Sequence, residues 1–238
     1  MKKSRMFSHV TSTWNPITGC RHNCKYCWAR KLSLTKLKGI PHYARHGFKP
    51  ALNEKMFRRR FKPGELVFVS DMGDMWGIWV PEDWILKVLN HVKKFPRTKF
   101  LFLTKNPRRY GEFVDILGEM DNIILGATIE TDRSLDYLAW KISDAPTPDA
   151  RLAGMLYLRY KGFDNLMVSI EPILDFSMDT FVEMIKQIKP RLVYVGYDNY
   201  NNKLPEPPLE KTLKLVEELK KFTNVYTKTI RKAWWEKH

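Results

Sequence analysis

A chain of 238 residues with 44% hydrophobic and 13% aromatic content can bury a substantial core, and residues 1–238 read as one large domain. No apolar run approaches the ~20 residues that cross a bilayer, the opening MKKSRMFSHV has no apolar stretch of the secretory kind, and three clustered cysteines do not make a disulfide scaffold. A membrane span and a secreted disulfide protein are thereby excluded, a cytoplasmic setting is expected, and the net charge of +15 is concentrated where the cysteines are: residues 1–62 hold sixteen Lys and Arg against one acid, Glu54, while the rest is neutral.

In chain order, a first helix is expected from about Cys24 to Lys38, after the cysteine loop. ELVFVS (65–70) is short and continuously apolar, the pattern of a strand buried on both faces. PEDWILKVLNHVKKF (81–95) opens with Pro and two acids and carries a helical apolar stripe. The alternation continues with strands at 99–104 and 122–129 around a helical pattern at 107–120. SDAPTPDA (143–150) reads as a breaker cluster. Strands at 165–170 and 191–196 flank a helix at 178–188; a loop at 199–208, a helix at 209–222 and a last strand at 225–230 complete the chain.

Strand–helix alternation implies parallel βαβ units, hence an α/β wound sheet or barrel. Most expected strands end in polar residues: Ser70-Asp71, Thr104-Lys105, Thr128 to Glu130, Ser169 to Glu171 and Asp198-Asn199. In parallel architectures these carboxyl ends form the ligand face.

All three cysteines, Cys20, Cys24 and Cys27, lie in WNPITGCRHNCKYCWARK (14–31) with spacing C-x3-C-x2-C. Thiolates bind soft metals and iron–sulfur clusters. A Cys3His zinc site recruiting His22, His42 or His46 is one reading. Three corners of a [4Fe–4S] cube, with one iron left open for chemistry, is the other.

The spacing, with Tyr26 at the aromatic position of C-x3-C-x-aromatic-C, resembles the radical S-adenosylmethionine superfamily. WNPITGC, CWA, VFVSDMGDMW, FLTKNPRR, LGATIE, SIEPIL and VYVG, in that order, are similar to the phage Gp37/Gp68-like group of that superfamily. The group's Asn-Ser-Met-Ser-Asp stands here as Ser70-Asp71-Met72-Gly73-Asp74, its Gly-Gly-Glu-Ser as Gly196-Tyr197-Asp198-Asn199, and its Lys-Gln-Trp as Lys228-Thr229-Ile230.

The resemblance implies a partial (β/α)6 barrel of the radical SAM type and a [4Fe–4S] cluster on Cys20, Cys24 and Cys27. S-adenosyl-L-methionine would supply the fourth ligand and be cleaved reductively to a 5′-deoxyadenosyl radical that takes hydrogen from a substrate. It implies that Tyr26, Asp71 and Asp74 serve the cofactor, the two aspartates at its amino group. Thr128 and Glu130 would then accept from ribose hydroxyls, Glu171 would meet cofactor or substrate, and Lys105 or Lys228 would meet a carboxylate or an anionic substrate.

Tyr194, Tyr197 and Tyr200 are candidates for relay, stacking or packing. Arg58, Arg59, Arg60 and Lys62 form the densest basic run, with Trp28, Tyr43, Phe48, Phe57 and Phe61 as nearby aromatics. Charge points to DNA or RNA as partner, and the cluster would need an electron donor. Two other readings remain at this stage: a non-catalytic nucleic-acid-binding protein with a structural zinc or iron–sulfur site, and a radical enzyme acting on a peptide or small anionic metabolite.

Overall fold

The computed structural model describes residues 7–237; Lys2, Lys3 and Arg5 of the basic first quarter lie outside them. After β1 (Ser12–Trp14) the chain forms β2 (Ile17–Thr18), passes through the cysteine loop into α1 (Trp28–Leu34) and α2 (Pro41–His46), and returns as β3 (Ala51–Leu52), antiparallel to β2. From β4 (Leu66–Val69) the alternation is regular: α3 (Glu82–Val92), β5 (Lys99–Thr104), a 3-10 turn (Pro107–Phe113) running into α4 (Val114–Gly118), and β6 (Ile123–Thr128). Then follow α5 (Ser134–Ala139), α6 (Pro148–Tyr160), β7 (Leu166–Ile170), α7 (Met178–Ile188), β8 (Leu192–Val195), α8 (Leu209–Lys220) and β9 (Asn224–Thr227).

Seven strands form one parallel sheet in the order β1-β4-β5-β6-β7-β8-β9, so the sheet's strands lie side by side in chain order, with β2 and β3 set apart as a separate pair. The sheet curls into an open half-barrel. Phe7 shows the curl directly: its ring lies 5.6 Å from Phe68 of β4 and 4.5 Å from Tyr194 of β8. Those strands are four apart, and at about 4.8 Å per strand a flat sheet would hold them roughly 19 Å apart.

Period-two alternation separates the faces. Phe68, Leu101, Met167 and Tyr194 point inward and close on Phe7 and Val10, which plug the barrel. Val67, Val69, Phe100, Phe102, Leu125, Val168 and Val193 point outward into the larger core shared with Val88, Leu89, Phe181, Ile185 and Leu215. No helix is long and apolar enough to cross a membrane among the described residues.

Three elements differ locally from the sequence reading, and two of the differences have a plain physical cause. The helix expected over Cys24–Lys38 is confined to Trp28–Leu34, because the preceding residues are spent placing three sulfurs. The 107–120 segment begins as a 3-10 turn rather than an α-helix. The breaker cluster at 143–150 contains the start of α6, where Pro148 occupies a first-turn position that suits proline. The sheet also has one strand more than a six-unit barrel, with short β1 at one edge and β9 at the other.

Candidate functional site

The carboxyl ends of the strands meet at one mouth. Thr104 of β5 pairs in register with Ala127, and Thr128 of β6 with Ser169 of β7. Below the cysteine loop this mouth opens into a cavity of about 1060 Å³. Cys20, Cys24, Cys27, Tyr26, Asp71, Asp74, Lys105, Thr128 and Glu171 all line it. Glu130 does not.

Two glycines seat the loop. Gly19 has φ +79°, and a Cβ there would run into the carbonyls of Lys49 and Phe48. A Cβ on Gly73 would lie 2.6 Å from the Gly19 carbonyl oxygen. Without either side chain, Gly19 N donates to Met72 O (2.9 Å) and Asp74 N to Gly19 O (3.3 Å), clamping the chain before Cys20 to the loop after β4. Asn15 reinforces the clamp: its amide nitrogen donates to Asp71 Oδ1 (2.6 Å) and its oxygen accepts from Met72 N (3.0 Å).

Each sulfur has a polar neighbour in place. His22 N donates to Cys20 Sγ (3.3 Å), Arg30 N donates to Cys27 Sγ (3.4 Å), and Cys24 Sγ lies 3.2 Å from Ser143 Oγ. Burial, then the Asp74 charge, push the Cys20 thiol up. Burial likewise raises Cys24, against the opposing pull of Lys105 and Ser143. Thiols that are costly to ionise alone suit ligation, where the metal's charge replaces the missing solvation.

Asp74 is a buried knot. Its oxygens accept from Thr104 Oγ1 (2.8 and 2.9 Å), Trp76 N (3.0 Å) and Lys105 N (3.0 Å), and His22 Nε2 lies 3.0 Å away. Burial works to raise this carboxyl, but the hydrogen bond and charge of His22 and the Lys105 and Thr104 donors hold it below the ordinary carboxylate range. The expectation that Asp74 itself takes a cofactor ammonium meets a full set of protein donors. Its place is to hold the cysteine loop and β5 together. Asp71 is the carboxylate with acceptor capacity to spare: Asn15 is its one side-chain partner among the described residues, and burial raises its pKa to about 6.

Glu130 departs further from expectation. It is fully buried and accepts from Tyr26 Oη and Arg151 Nη1, with Lys105 Nζ 3.6 Å away. Burial would raise its carboxyl, and the charges of Arg151 and Lys105 with the Tyr26 hydroxyl hold it low. Both oxygens already have protein partners and Glu130 does not line the cavity, a placement that suits holding Tyr26, Lys105 and Arg151 in position. Thr128 on the same strand end does line the cavity.

Arg151, missed in the sequence, is also fully buried, and donates to Thr128 O (2.9 Å), Pro146 O (2.7 Å) and Tyr137 Oη (2.7 Å). Had α6 been recognised, its 148/151/155/158 stripe would have placed this arginine on the buried face.

Across the cavity, Lys228 Nζ bonds the Glu171 carboxylate at 2.7 Å. Burial still lifts Glu171 above its ordinary range despite Lys228 and Lys105.

The three tyrosines separate. Tyr197 is buried with its hydroxyl on Thr212 Oγ1 (2.6 Å) and Pro207 O (3.0 Å). Tyr194 lies 2.8 Å from His9 Nδ1 inside the plug. Tyr200 stands half exposed at the mouth.

The Arg58–Arg60 run is not at the cavity. Arg59 donates to Thr13 O and Ser12 Oγ, and Phe57 and Phe61 pack on Trp14 and His91. Trp28 and Phe48 do line the cavity; Tyr43 does not. Among the described residues, none of the thirteen Lys and Arg from Arg21 to Lys62 has a carboxylate within salt-bridge distance, whereas such pairs recur from Lys87 onward. The thirteen described bases of the first quarter are therefore not held in ion pairs with later acids.

A Cys3His zinc site would need a histidine nitrogen turned to the thiols. His22 and His42 turn their Nε2 atoms to Asp74 and to Thr18 Oγ1 (2.7 Å). The donor set fits a cluster better: three thiols on a short arc, each with a polar neighbour of the kind that tunes cluster sulfurs. His22 Nδ1, buried in the cavity wall, has no partner among the described residues, as a bound group nearby would explain.

Solved structures share this architecture. A spore photoproduct lyase variant with bound AdoMet and dinucleoside spore photoproduct is 14% identical, with TM-score 0.61 over 91% of this chain and 65% of that one. A second variant of that lyase gives 15%, 0.62, 94% and 64%. Streptococcus suis SuiB bound to S-adenosylmethionine gives 14%, 0.57, 91% and 49%. At such identities the likeness is one of fold, and the chain spans just under two thirds of the lyase and about half of SuiB. No curated protein matches the sequence. The family model described as "Protein of unknown function (DUF5131)" matches residues 5–150, well over half of the chain. On that match the chain belongs to the DUF5131 family.

Proposed function

We propose that this chain is a radical S-adenosylmethionine enzyme, with residues 1–238 acting as one such domain, close to the phage Gp37/Gp68-like group, and with a nucleic acid or nucleotide as substrate. The observation that carries the reading is the set of three thiols, each with a polar neighbour, at the open mouth of a parallel half-barrel above a cavity of about 1060 Å³. Similarity to structures with AdoMet and S-adenosylmethionine bound supports the cofactor. When bound, a reduced [4Fe–4S] cluster with S-adenosylmethionine supplies a 5′-deoxyadenosyl radical that abstracts hydrogen.

Cys20, Cys24 and Cys27 would hold the cluster. Asp71 offers its open carboxylate to the cofactor's ammonium, and Lys105, with Glu130 already satisfied by Arg151 and Tyr26, offers its ammonium to an anionic end. Thr128 serves a hydroxyl of the ligand. Asp74, Glu130 and Tyr26 act as positioning residues. Phe7, Phe68 and Leu103 close the cavity floor and exclude water from a reactive intermediate. The unpaired bases of the first quarter favour a polyanionic substrate. Electrons would come from an external donor.

The test is anaerobic reconstitution with iron and sulfide, then incubation with S-adenosylmethionine and dithionite. Four irons per chain and formation of 5′-deoxyadenosine are expected, and replacing any one cysteine by Ala should abolish both. Zinc at one per chain with no 5′-deoxyadenosine would overturn the proposal.

A further inference from the structure

We infer that a second concavity, beside the cysteine loop, is the seat of a single nucleic-acid strand. This groove, of about 640 Å³, shares Cys24, Tyr26, Cys27, Trp28 and Tyr200 with the main cavity and is continuous with it there. A ligand lying in it would lie next to the radical source, and its role as a substrate track rests on the proposed function; its capacity to bind does not.

The groove is lined by Lys25, Arg30, Lys31 and Lys141 against one acid, Asp144. None of the four bases has a carboxylate partner among the described residues. Their hydrogen bonds go to neutral acceptors: Lys25 Nζ donates to Trp140 O (2.6 Å), and Arg30 donates to Cys24 O (2.6 Å) and Asn23 Oδ1. These bonds position Lys25 and Arg30 without neutralising them, so their charge remains available to an anion.

Tyr200 supplies the second element. It is 52% exposed, lines the groove, and has Lys31 Nζ 5.9 Å from its ring centroid. Cations beside an exposed aromatic ring are what a single strand requires: phosphates meet the cations and a base stacks on the ring. A duplex keeps its bases stacked on one another and offers no free face to Tyr200. A base bound for the cavity must leave the stack in any case. An acidic protein would complement the charge but has no use for the ring, so the strand accounts for more of the groove.

The experiment measures binding of fluorescent oligothymidylate and oligouridylate of about 12 nucleotides to the full chain across a salt series. Duplex DNA and an acidic redox protein serve as rival ligands. Single strands should bind at low salt, more tightly than duplex. The K25E/K31E/K141E variant should bind at least about tenfold more weakly and flatten the salt slope by about 2, the share of three phosphates in a single strand. The charge-matched K55E/R58E/R60E variant, altered at residues that line neither concavity, should stay within about twofold of the parent.

Tyr200→Ala, which leaves every charge in place, should lose at least about fivefold in affinity while keeping the slope. Equal losses in the two triple variants, equal binding of duplex, or binding of the acidic protein alone would each overturn the assignment. 5′-Deoxyadenosine formed by the unsubstituted chain without oligonucleotide reports separately on the proposed function. A chain that cleaves the cofactor and ignores single strands therefore sinks the groove alone.

Discussion

Asp71 and Glu130, two acids near one mouth, are perturbed in opposite directions. Burial raises Asp71 to about 6, so the fold prefers it protonated. Stability is then lost as pH rises from the unfolded pKa near 3.8 through about 6, and the cost persists at neutral pH. Asp71→Asn keeps the Asn15 hydrogen bond and removes that cost. It should stabilise the chain by about 1–3 kcal/mol at pH 7.5 and by little at pH 4, measured by denaturant unfolding, while weakening S-adenosylmethionine. A variant less stable than the parent at pH 7.5 would refute the assignment. Glu130 behaves oppositely: its partners hold the carboxyl low, so its contribution is present above the ordinary carboxylate range and lost as pH falls below it. Arg151→Met strands Glu130 with a buried negative charge and should cost about 3–5 kcal/mol. The double variant Glu130→Leu with Arg151→Met should be more stable than Arg151→Met alone, because the fully buried carboxylate is gone and Lys105, which loses Glu130 as a partner, is the less buried of the two groups. If the two losses simply add in the unfolding data, the pair is not coupled as the geometry requires.

At the level of elements, the sequence is legible where burial is continuous. ELVFVS, KFLFLT and NLMVSI can only be strands covered on both faces, and α7 falls at 178–188 as its apolar spacing dictates. It is illegible where tertiary contact decides. β1 is three residues long and exists because β4 pairs with it. The start of α6 looks like a breaker because Pro148 and its neighbours suit a loop equally well, and that concealed Arg151, the partner that explains Glu130. That the cysteines and Asp71 meet at one mouth is readable from spacing and strand ends. The saturation of Asp74 was not, since its donors come from the cysteine loop, β5 and the loop between β4 and α3. Two glycines test this tertiary dependence with opposite signs. Gly73→Ala would press a methyl against the Gly19 carbonyl, and should cost about 1–3 kcal/mol and loosen the cysteine loop. Gly118→Ala, at the end of α4 with open space around it, should gain about 0.4–1 kcal/mol. Urea unfolding of both distinguishes a packed contact from an incidental approach: equal shifts would mean that Gly73 is not under contact.

On the scale of the whole molecule, the half-barrel has an open side and a plugged floor, and the plug comes from a segment outside the sheet. Phe7 is fully buried and bridges Phe68 on β4 to Tyr194 on β8, with Lys228 Nζ 5.2 Å from its ring. Nothing in the alternation of strands and helices reveals this, because the sequence around Phe7 has no strand or helix period. The consequence is that the cavity floor rests in part on a side chain from outside the sheet. Phe7→Ala removes an aromatic from a site that collapse cannot refill, since the strands around it are held apart by their own hydrogen bonds. The expected loss is about 3–5 kcal/mol. For a chain of this length each kcal/mol is worth about 2–4 °C in Tm, so a fall of roughly 6–20 °C is expected. Phe7→Leu, which refills most of the volume, should recover more than half of that fall. If Phe7→Ala melts within about 2 °C of the parent, the plug is dispensable and the inward face is held by the strands alone. A destabilised Phe7→Ala that still forms 5′-deoxyadenosine but binds S-adenosylmethionine normally would separate the floor's structural part from its proposed part in excluding water. The mouth residues are unchanged in that variant, and only the depth of the cavity differs.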